Sequence, residues 1–224
     1  MTRRLAIDWP ADIPLPAGTQ VPVRLLAVSD ERDAALEQAP NRAAIGRIDG
    51  VLGCGDLEPD YLCFLGDAFR VPLLYVRGNH DRGQGWEAGR ERVPRPIGTG
   101  GHRVAGIRVR GLSWPGDSGS DARRDERAAW SQSVGLYLRS RLTARPHIIL
   151  SHAPPRGLGD VQADPYHAGF AGYRWLCRSL QPVLWLHGHT TLASAGELSM
   201  QCQSTTLVNV TGAVLIELNP TAGR

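Results

Sequence analysis

Five short apolar runs in this chain each stop at an acidic, amide or imidazole residue. Residues 23–28, 51–53, 72–76, 147–150 and 183–186 are rich in Val, Ile and Leu, the pattern of strands buried on both faces. They end at Asp30, at Asp56, at Asn79-His80, at His152, and at His187 with His189. Between the first three lie helix-prone stretches. Residues 33–45 are alanine-rich and interrupted at Pro40, and residues 59–69 carry Tyr61, Leu62, Phe64, Leu65 and Phe69 on one stripe. Strand, helix, strand, helix, strand is the order of an open α/β sheet, where ligands gather beyond the carboxyl ends of the strands.

The second half has a different rhythm. Residues 104–112 suit a hairpin, 114–121 a loop, and 122–142 one long helix or two short ones. Residues 157–167 form a glycine- and aspartate-bearing loop before a helical stretch to about 180. Two last strands, 205–210 and 213–218, turn at Thr211-Gly212. So many strands imply a second sheet packed on the first. Residues 1–22 are proline-rich and aperiodic, and read as an arm lying on the surface or joining an edge. Residues 23–224 read as a single domain, which the length of 224 residues permits.

Composition removes several functions. All 25 basic residues are arginine, which excludes Schiff-base chemistry and a P-loop lysine. The net charge of +3 is too balanced for a partner such as long nucleic acid, which needs many phosphate contacts. Cys54, Cys63, Cys177 and Cys202 form no CxxC pair, so reduced thiols in a cytoplasmic protein are expected. No apolar stretch follows Met1-Thr2-Arg3-Arg4 and no run of about 18 apolar residues exists, so neither a secretory signal nor a membrane span is expected.

Two carboxylates, one amide and several imidazoles on one sheet edge form a mixed oxygen and nitrogen donor set suited to Zn, Mn or Fe. The blocks Ser29-Asp30, Gly55-Asp56, Gly78-Asn79-His80-Asp81, Ser151-His152-Ala153-Pro154-Pro155 and His187-Gly188-His189 resemble the calcineurin-like metallophosphoesterases. The resemblance runs in the family's order over residues 25–189. It implies a four-layer α/β/β/α sandwich of two mixed β-sheets flanked by helices. It also implies two divalent metal ions and phosphate-ester hydrolysis by metal-activated hydroxide.

Carried onto this chain, the resemblance makes Asp56 the ligand shared by both metals. Asn79, His152 and His187 complete the second metal, and Asp30 with His189 the first. His80 would protonate the leaving group or hold the transferring phosphoryl, and Asp81 would orient His80 or stabilise its turn. One position departs from the family. Arg32 stands where most members have a metal-binding His, and a guanidinium has no lone pair to offer.

Three outcomes are open there: a weak first metal completed by waters, a single-metal site with Arg32 supplying charge, or rescue by Glu31 or Asp33. Arg32 is also a candidate for a substrate phosphate, or simply the partner of a nearby carboxylate. The loop from Pro154 to Gly169 resembles a phosphodiesterase-like branch, which places Asp160 and His167 at the substrate or in a self-bonded loop. His102 and His147 are read as structural or exposed, Trp114 as surface-packed or stacked on a substrate base, and Arg123-Arg124 as part of a solvated helix face. The expected substrate is a small, nucleotide-like phosphodiester. A phosphomonoesterase or nucleotide pyrophosphohydrolase is the alternative, and a non-catalytic metal- or nucleotide-binding member is a third.

Overall fold

A computed structural model of the chain describes residues 2–15, 18–116 and 124–221. Arg3–Trp9 forms β1 and Val23–Ser29 forms β2, followed by the short helices α1 (Ala34–Glu37) and α2 (Ala39–Ile45). The helical break falls at Gln38, because Pro40 sits in the first turn of α2, where its missing N–H costs nothing. Then come β3 (Gly50–Gly53), α3 (Pro59–Phe69), β4 (Leu73–Tyr75) and α4 (Gln84–Gly89). The hairpin β5 (His102–Val104) and β6 (Ile107–Leu112) leads through residues 113–125 to α5 (Glu126–Leu142). Asp125 caps that helix by accepting N–H bonds from Arg127 and Ala128. The chain closes with β7 (Ile148–Ser151), α6 (Ala171–Leu180), β8 (Leu184–His187), α7 (Leu192–Ala195), β9 (Ser199–Cys202), β10 (Thr205–Asn209) and β11 (Gly212–Pro220).

Two mixed sheets result, in the orders β1-β11-β2-β3-β4 and β5-β6-β7-β8-β10-β9. Alternate residues of each strand face opposite ways. Leu25 and Ala27 join Ile148, Leu150, Leu184 and Leu186 in the core between the sheets. Leu26 and Val28 pack instead with Tyr61, Leu62 and Leu65 of α3. On the far side, Ile149 and Trp185 pack with Leu176 and Leu180 of α6 and Leu136 of α5. Helix, sheet, sheet, helix is the expected four-layer sandwich.

Two expectations change. β10 and β11 are not a hairpin: β10 pairs parallel with β8 in one sheet, and β11 pairs antiparallel with β2 in the other. Strands apolar on both faces carry no period that separates a hairpin from a crossover, so Thr211-Gly212 turns the chain between sheets. Residues 3–9 do join a sheet edge, as one of the two readings of the arm had it, but with a strand's alternation rather than aperiodically. They form an edge strand running parallel to β11, with Ile7 and Trp9 buried and Arg4, Ala6 and Asp8 exposed. The helix expected from residue 122 begins at Glu126, and residues 122–123 lie outside the described part. Among the described residues no helix is long and apolar enough to cross a membrane.

His147 starts the strand that becomes β7 and is buried edge-on to Trp9, with ring centroids 5.6 Å apart. Burial, helped by Arg108 and Arg103, pushes its pKa down to about 4. Below its ordinary value of 6.5 the unfolded chain therefore binds a proton that the folded chain refuses, so stability falls between pH 6.5 and about 4. The full shift corresponds to about 3 kcal/mol, of which solvent screening leaves an expected loss of about 2 kcal/mol. His147→Phe should flatten the pH dependence of urea unfolding by that amount, whereas parallel curves would mean that His147 charges freely in the fold.

Candidate metal centre

The carboxyl ends of β2, β3 and β4 deliver Asp30, Asp56 and Asn79 from one sheet, and β7 and β8 deliver His152 and His189 from the other. Three of these residues adopt left-handed backbone: Asp30 (φ 61°), Asp56 (φ 55°) and His189 (φ 67°). Among the described residues, the other four non-glycines in that region cap helices (Arg70, Gln181) or turn hairpins (Ala105, Gln203). The strain at the strand ends serves no cap; it aims side chains. Glycine makes the room. A Cβ on Gly188 would lie 2.0 Å from Ser29 Oγ and 2.2 Å from Asp30 Oδ2, and one on Gly78 would lie 2.1 Å from Asp56 Oδ1.

Ligand atoms of Asp30, Asp56 and His152 all lie within 4.8 Å of one another. Asp56 Oδ2 is 3.1 Å from His152 Nε2, which is 3.2 Å from His189 Nδ1. The outer nitrogens are both spoken for. His152 Nδ1 donates to the carbonyl of Cys54 at 2.8 Å, and His189 Nε2 donates to the carbonyl of Tyr166 at 2.9 Å. A carbonyl can only accept, so the inner nitrogens are the ones left with lone pairs for a cation.

Without a cation, two such lone pairs in contact need a proton between them. Burial would drive His152 down, but Asp30 and Asp56 outweigh it and lift its pKa to about 9. Burial and the charged His152 push His189 down to about 3. Burial also works to raise Asp56, yet His152 and the backbone N–H of His80 hold its carboxyl below the ordinary range. Asn79 completes the set. Its Oδ1 is buried without a hydrogen-bond partner, while its Nδ2 donates to Tyr166 Oη at 2.6 Å. An orphaned amide oxygen on the residue before His80, whose N–H reaches Asp56, joins two carboxylates and two inward imidazole nitrogens as a donor set that fits a divalent cation.

Burial and the nearby charge of His152 push the pKa of His187 down to about 4, so it lies close to this cluster, although its own hydrogen bond stays local. It is buried with Nδ1 3.2 Å from the Gly188 carbonyl, and its Nε2 abuts Gly159 so closely that a Cβ there would come within 2.9 Å. His189, not His187, meets His152.

Asp81 holds the turn. It accepts from the backbone N–H groups of Gly78 (2.7 Å), Asp56 (2.9 Å) and Leu57 (3.0 Å), and from Trp86 Nε1 (3.0 Å). Burial raises its pKa against those donors. His80 is exposed, its backbone N–H donates to Asp56 Oδ1 at 2.7 Å, and its Nε2 is 3.1 Å from Tyr166 Oη. It lines a cleft of about 480 Å³ with Glu58, Arg82, Trp86 and Arg92.

Arg32 points its charge elsewhere, pairing with Glu37 (3.2 Å) and Glu58 (3.1 Å) 5.1 Å above the Tyr61 ring. Asp33 is occupied as the cap of α1. Asp160 spans its own loop, accepting from Gly157 N and Gly169 N at 2.8 Å each. His167 pairs with Asp164 and its ring centroid lies 5.2 Å from that of His189. Trp114 is not on the surface: its ring packs against His152, His189 and Phe170. Arg124 is not solvated either, donating to the carbonyls of Ala168 and Gly169; Arg123 lies outside the described residues. Tyr166 was missed altogether, since a lone aromatic between Pro165 and His167 has no spacing to mark it.

The model of the family described as "Calcineurin-like phosphoesterase" matches residues 35–191. The chain belongs to that family. The matched stretch includes Asp56, Asn79, His152 and His189 and leaves Asp30 and Arg32 outside it. A crystal structure of TT1561 from Thermus thermophilus superposes with a TM-score of 0.59 at 17% identity, covering 85% of this chain and 89% of that one. At that identity the likeness speaks for the shared fold. No curated protein matches the chain. Membership supports metal-dependent hydrolysis of phosphoesters in general.

Cation binding must displace the proton from His152. With a pKa of about 9 in the metal-free protein, that proton is present at pH 7. Mn²⁺ affinity should therefore rise by about tenfold per pH unit from pH 6 to roughly 8.5. Calorimetry in buffers of different ionisation enthalpy should show close to one proton released at pH 7, and no buffer dependence would refute the assignment.

Proposed function

We propose that this protein hydrolyses a small phosphodiester with a divalent cation held by Asp30, Asp56, Asn79, His152 and His189. The observation that carries the reading is the chain of Asp56–His152–His189 contacts, together with the buried, partnerless Oδ1 of Asn79. A divalent cation bound there supplies a Lewis acid for a phosphoryl oxygen and makes a water more acidic.

The chain's own residues supply the remainder. Asp30 is held by the backbone N–H of His189 (3.0 Å to Oδ2) and by Thr211 Oγ1 (3.3 Å), which fixes its carboxylate in place. His80, anchored to Asp56 through its backbone, stands at the rim of the 480 Å³ cleft. There its imidazole can give a proton to the departing ester oxygen. Arg82 and Arg92 line the same cleft with Glu58 and Asp60, so its charges are balanced, and its volume suits a second ester arm of nucleotide size. Among the described residues one cluster offers three metal-binding side chains of the His, Cys, Asp or Glu type. With Arg32 engaged by Glu37 and Glu58, we take this set as shared between two cations, one tightly held at Asp56, Asn79 and His152 and a weaker one at Asp30, Asp56 and His189. A cytoplasmic setting fits the four free thiols.

Mn²⁺-loaded protein should cleave bis-p-nitrophenyl phosphate faster than p-nitrophenyl phosphate, and Asp56→Asn should abolish both reactions. His80→Ala should lower kcat by about 10²–10³-fold for an alkyl leaving group and far less for nitrophenolate, which departs without a proton. The reverse preference would favour a phosphomonoesterase. Nucleotide binding with no turnover of either ester would favour the non-catalytic reading.

A further inference from the structure

One hydroxyl outside the expected residues touches two of them. Tyr166 Oη receives the Nδ2–H of Asn79 at 2.6 Å and lies 3.1 Å from His80 Nε2. The same residue's carbonyl accepts from His189 Nε2 at 2.9 Å, and its ring centroid lies 5.3 Å from that of His189.

A carboxamide has a donor end and an acceptor end of nearly equal size, and only its partners decide which way round it sits. With the donor end taken by Tyr166, the acceptor end is the one left buried without a partner. Turned the other way, the amide would let the phenol donate to Oδ1 and would present two N–H protons, with no lone pair, at the end now occupied by the partnerless oxygen. A cation could not then use Asn79. In the observed arrangement the phenol oxygen accepts from Asn79 and lies within hydrogen-bond reach of His80 Nε2, so a single hydroxyl sets the amide and registers the imidazole against it.

The loop that carries Tyr166 does not depend on this contact. Asp160 clamps its two ends through Gly157 N and Gly169 N, and Asp164 Oδ1 accepts from Tyr166 N at 2.9 Å. Removing the phenol oxygen should therefore leave the loop standing.

We propose that Tyr166 is a positioning residue that holds the Asn79 amide with Oδ1 turned to the cation and keeps His80 in register with it. This rests on the metal-dependent reading of the centre given above.

The test is a double-mutant cycle on the full-length, metal-stripped protein, with Mn²⁺ binding measured by calorimetry for wild type, Y166F, Asn79→Ala and the double variant. Thermal melts should show all four folded. Y166F is expected to weaken Mn²⁺ binding by about tenfold, the usual effect of losing a group that orients a ligand. In the Asn79→Ala background the same change should cost less than twofold, because the group through which Tyr166 acts is gone. Y166F binding within twofold of wild type would overturn the proposal. So would an equal loss in both backgrounds, which would mean that Tyr166 acts through the fold. If wild type itself binds no Mn²⁺, or Asp56→Asn binds as well as wild type, the metal-dependent reading fails and this one with it. Tight wild-type binding sensitive to Asp56 but indifferent to Y166F overturns this proposal alone.

Discussion

Four N–H groups converge on the carboxylate of Asp81, and the two loops that carry the centre are fixed by that convergence. Gly78 lies just after β4, Asp56 and Leu57 just after β3, and Trp86 on α4. Each loop has a backbone that strands and helices leave unsatisfied, and a buried unpaired N–H costs about 1–3 kcal/mol. One acidic side chain answers all of them, which is why the β3 and β4 loops cannot move independently. Asp56 is thereby held in left-handed backbone, and its Oδ1 is free to accept from His80. The strain at Asp56 is therefore sustained by its neighbour, not by its own conformational preference.

The second constraint is electrostatic. Asp56, His152 and His189 are packed where water cannot dilute their charges, and His152 is fully buried. Isolated ions in such a place would be costly, so the group is stable only as a whole with balanced charge. In the metal-free chain a proton on His152 provides part of that balance, which explains why two neighbouring imidazoles shift in opposite directions. The arrangement that raises one pKa and lowers the other is the arrangement that would grip a divalent cation. Perturbed titration and metal binding have one cause here.

Much of this was legible in the sequence because strand ends are where apolar runs stop. Asp30, Asp56, Asn79, His80 and His152 were marked by that rule, and α3 was found with its observed limits because Tyr61, Leu62 and Leu65 share a stripe. The rule weakens where two candidates sit side by side. His187 closes β8 and His189 follows one glycine later, and only the left-handed backbone of His189 shows which of them reaches His152. Asp160 was open to two readings, at the substrate or in a self-bonded loop, and both its oxygens serve backbone N–H groups of that loop. The partnering of Arg32 with Glu37 and Glu58 depends on α1 and α3 lying close together, a tertiary fact that no local pattern carries. Tyr166 belongs to the same class, since it reaches Asn79 across 87 residues of sequence.

The centre is also divided between the sheets in a way that ties chemistry to packing. The sheet containing β2, β3 and β4 contributes the oxygen donors, and the sheet containing β7 and β8 contributes the nitrogen donors. The chain crosses between the halves beside the site at Thr211, whose hydroxyl reaches Asp30. What sets their separation is the apolar core between them, where Ala27, Leu52 and Cys54 meet Leu150 and Leu186. A well-packed interior yields little, so the spacing resists change. The polar contacts across the seam confirm the register: Gly188 N donates to the His152 carbonyl within one sheet, while Cys54 O and Asp30 reach across to His152 and His189. Cys54 thus matters twice, through a small buried side chain and through a carbonyl that selects the His152 tautomer. A bulkier residue there would push the sheets apart and separate the oxygen donors from the nitrogen donors, even with every ligand in the sequence unchanged.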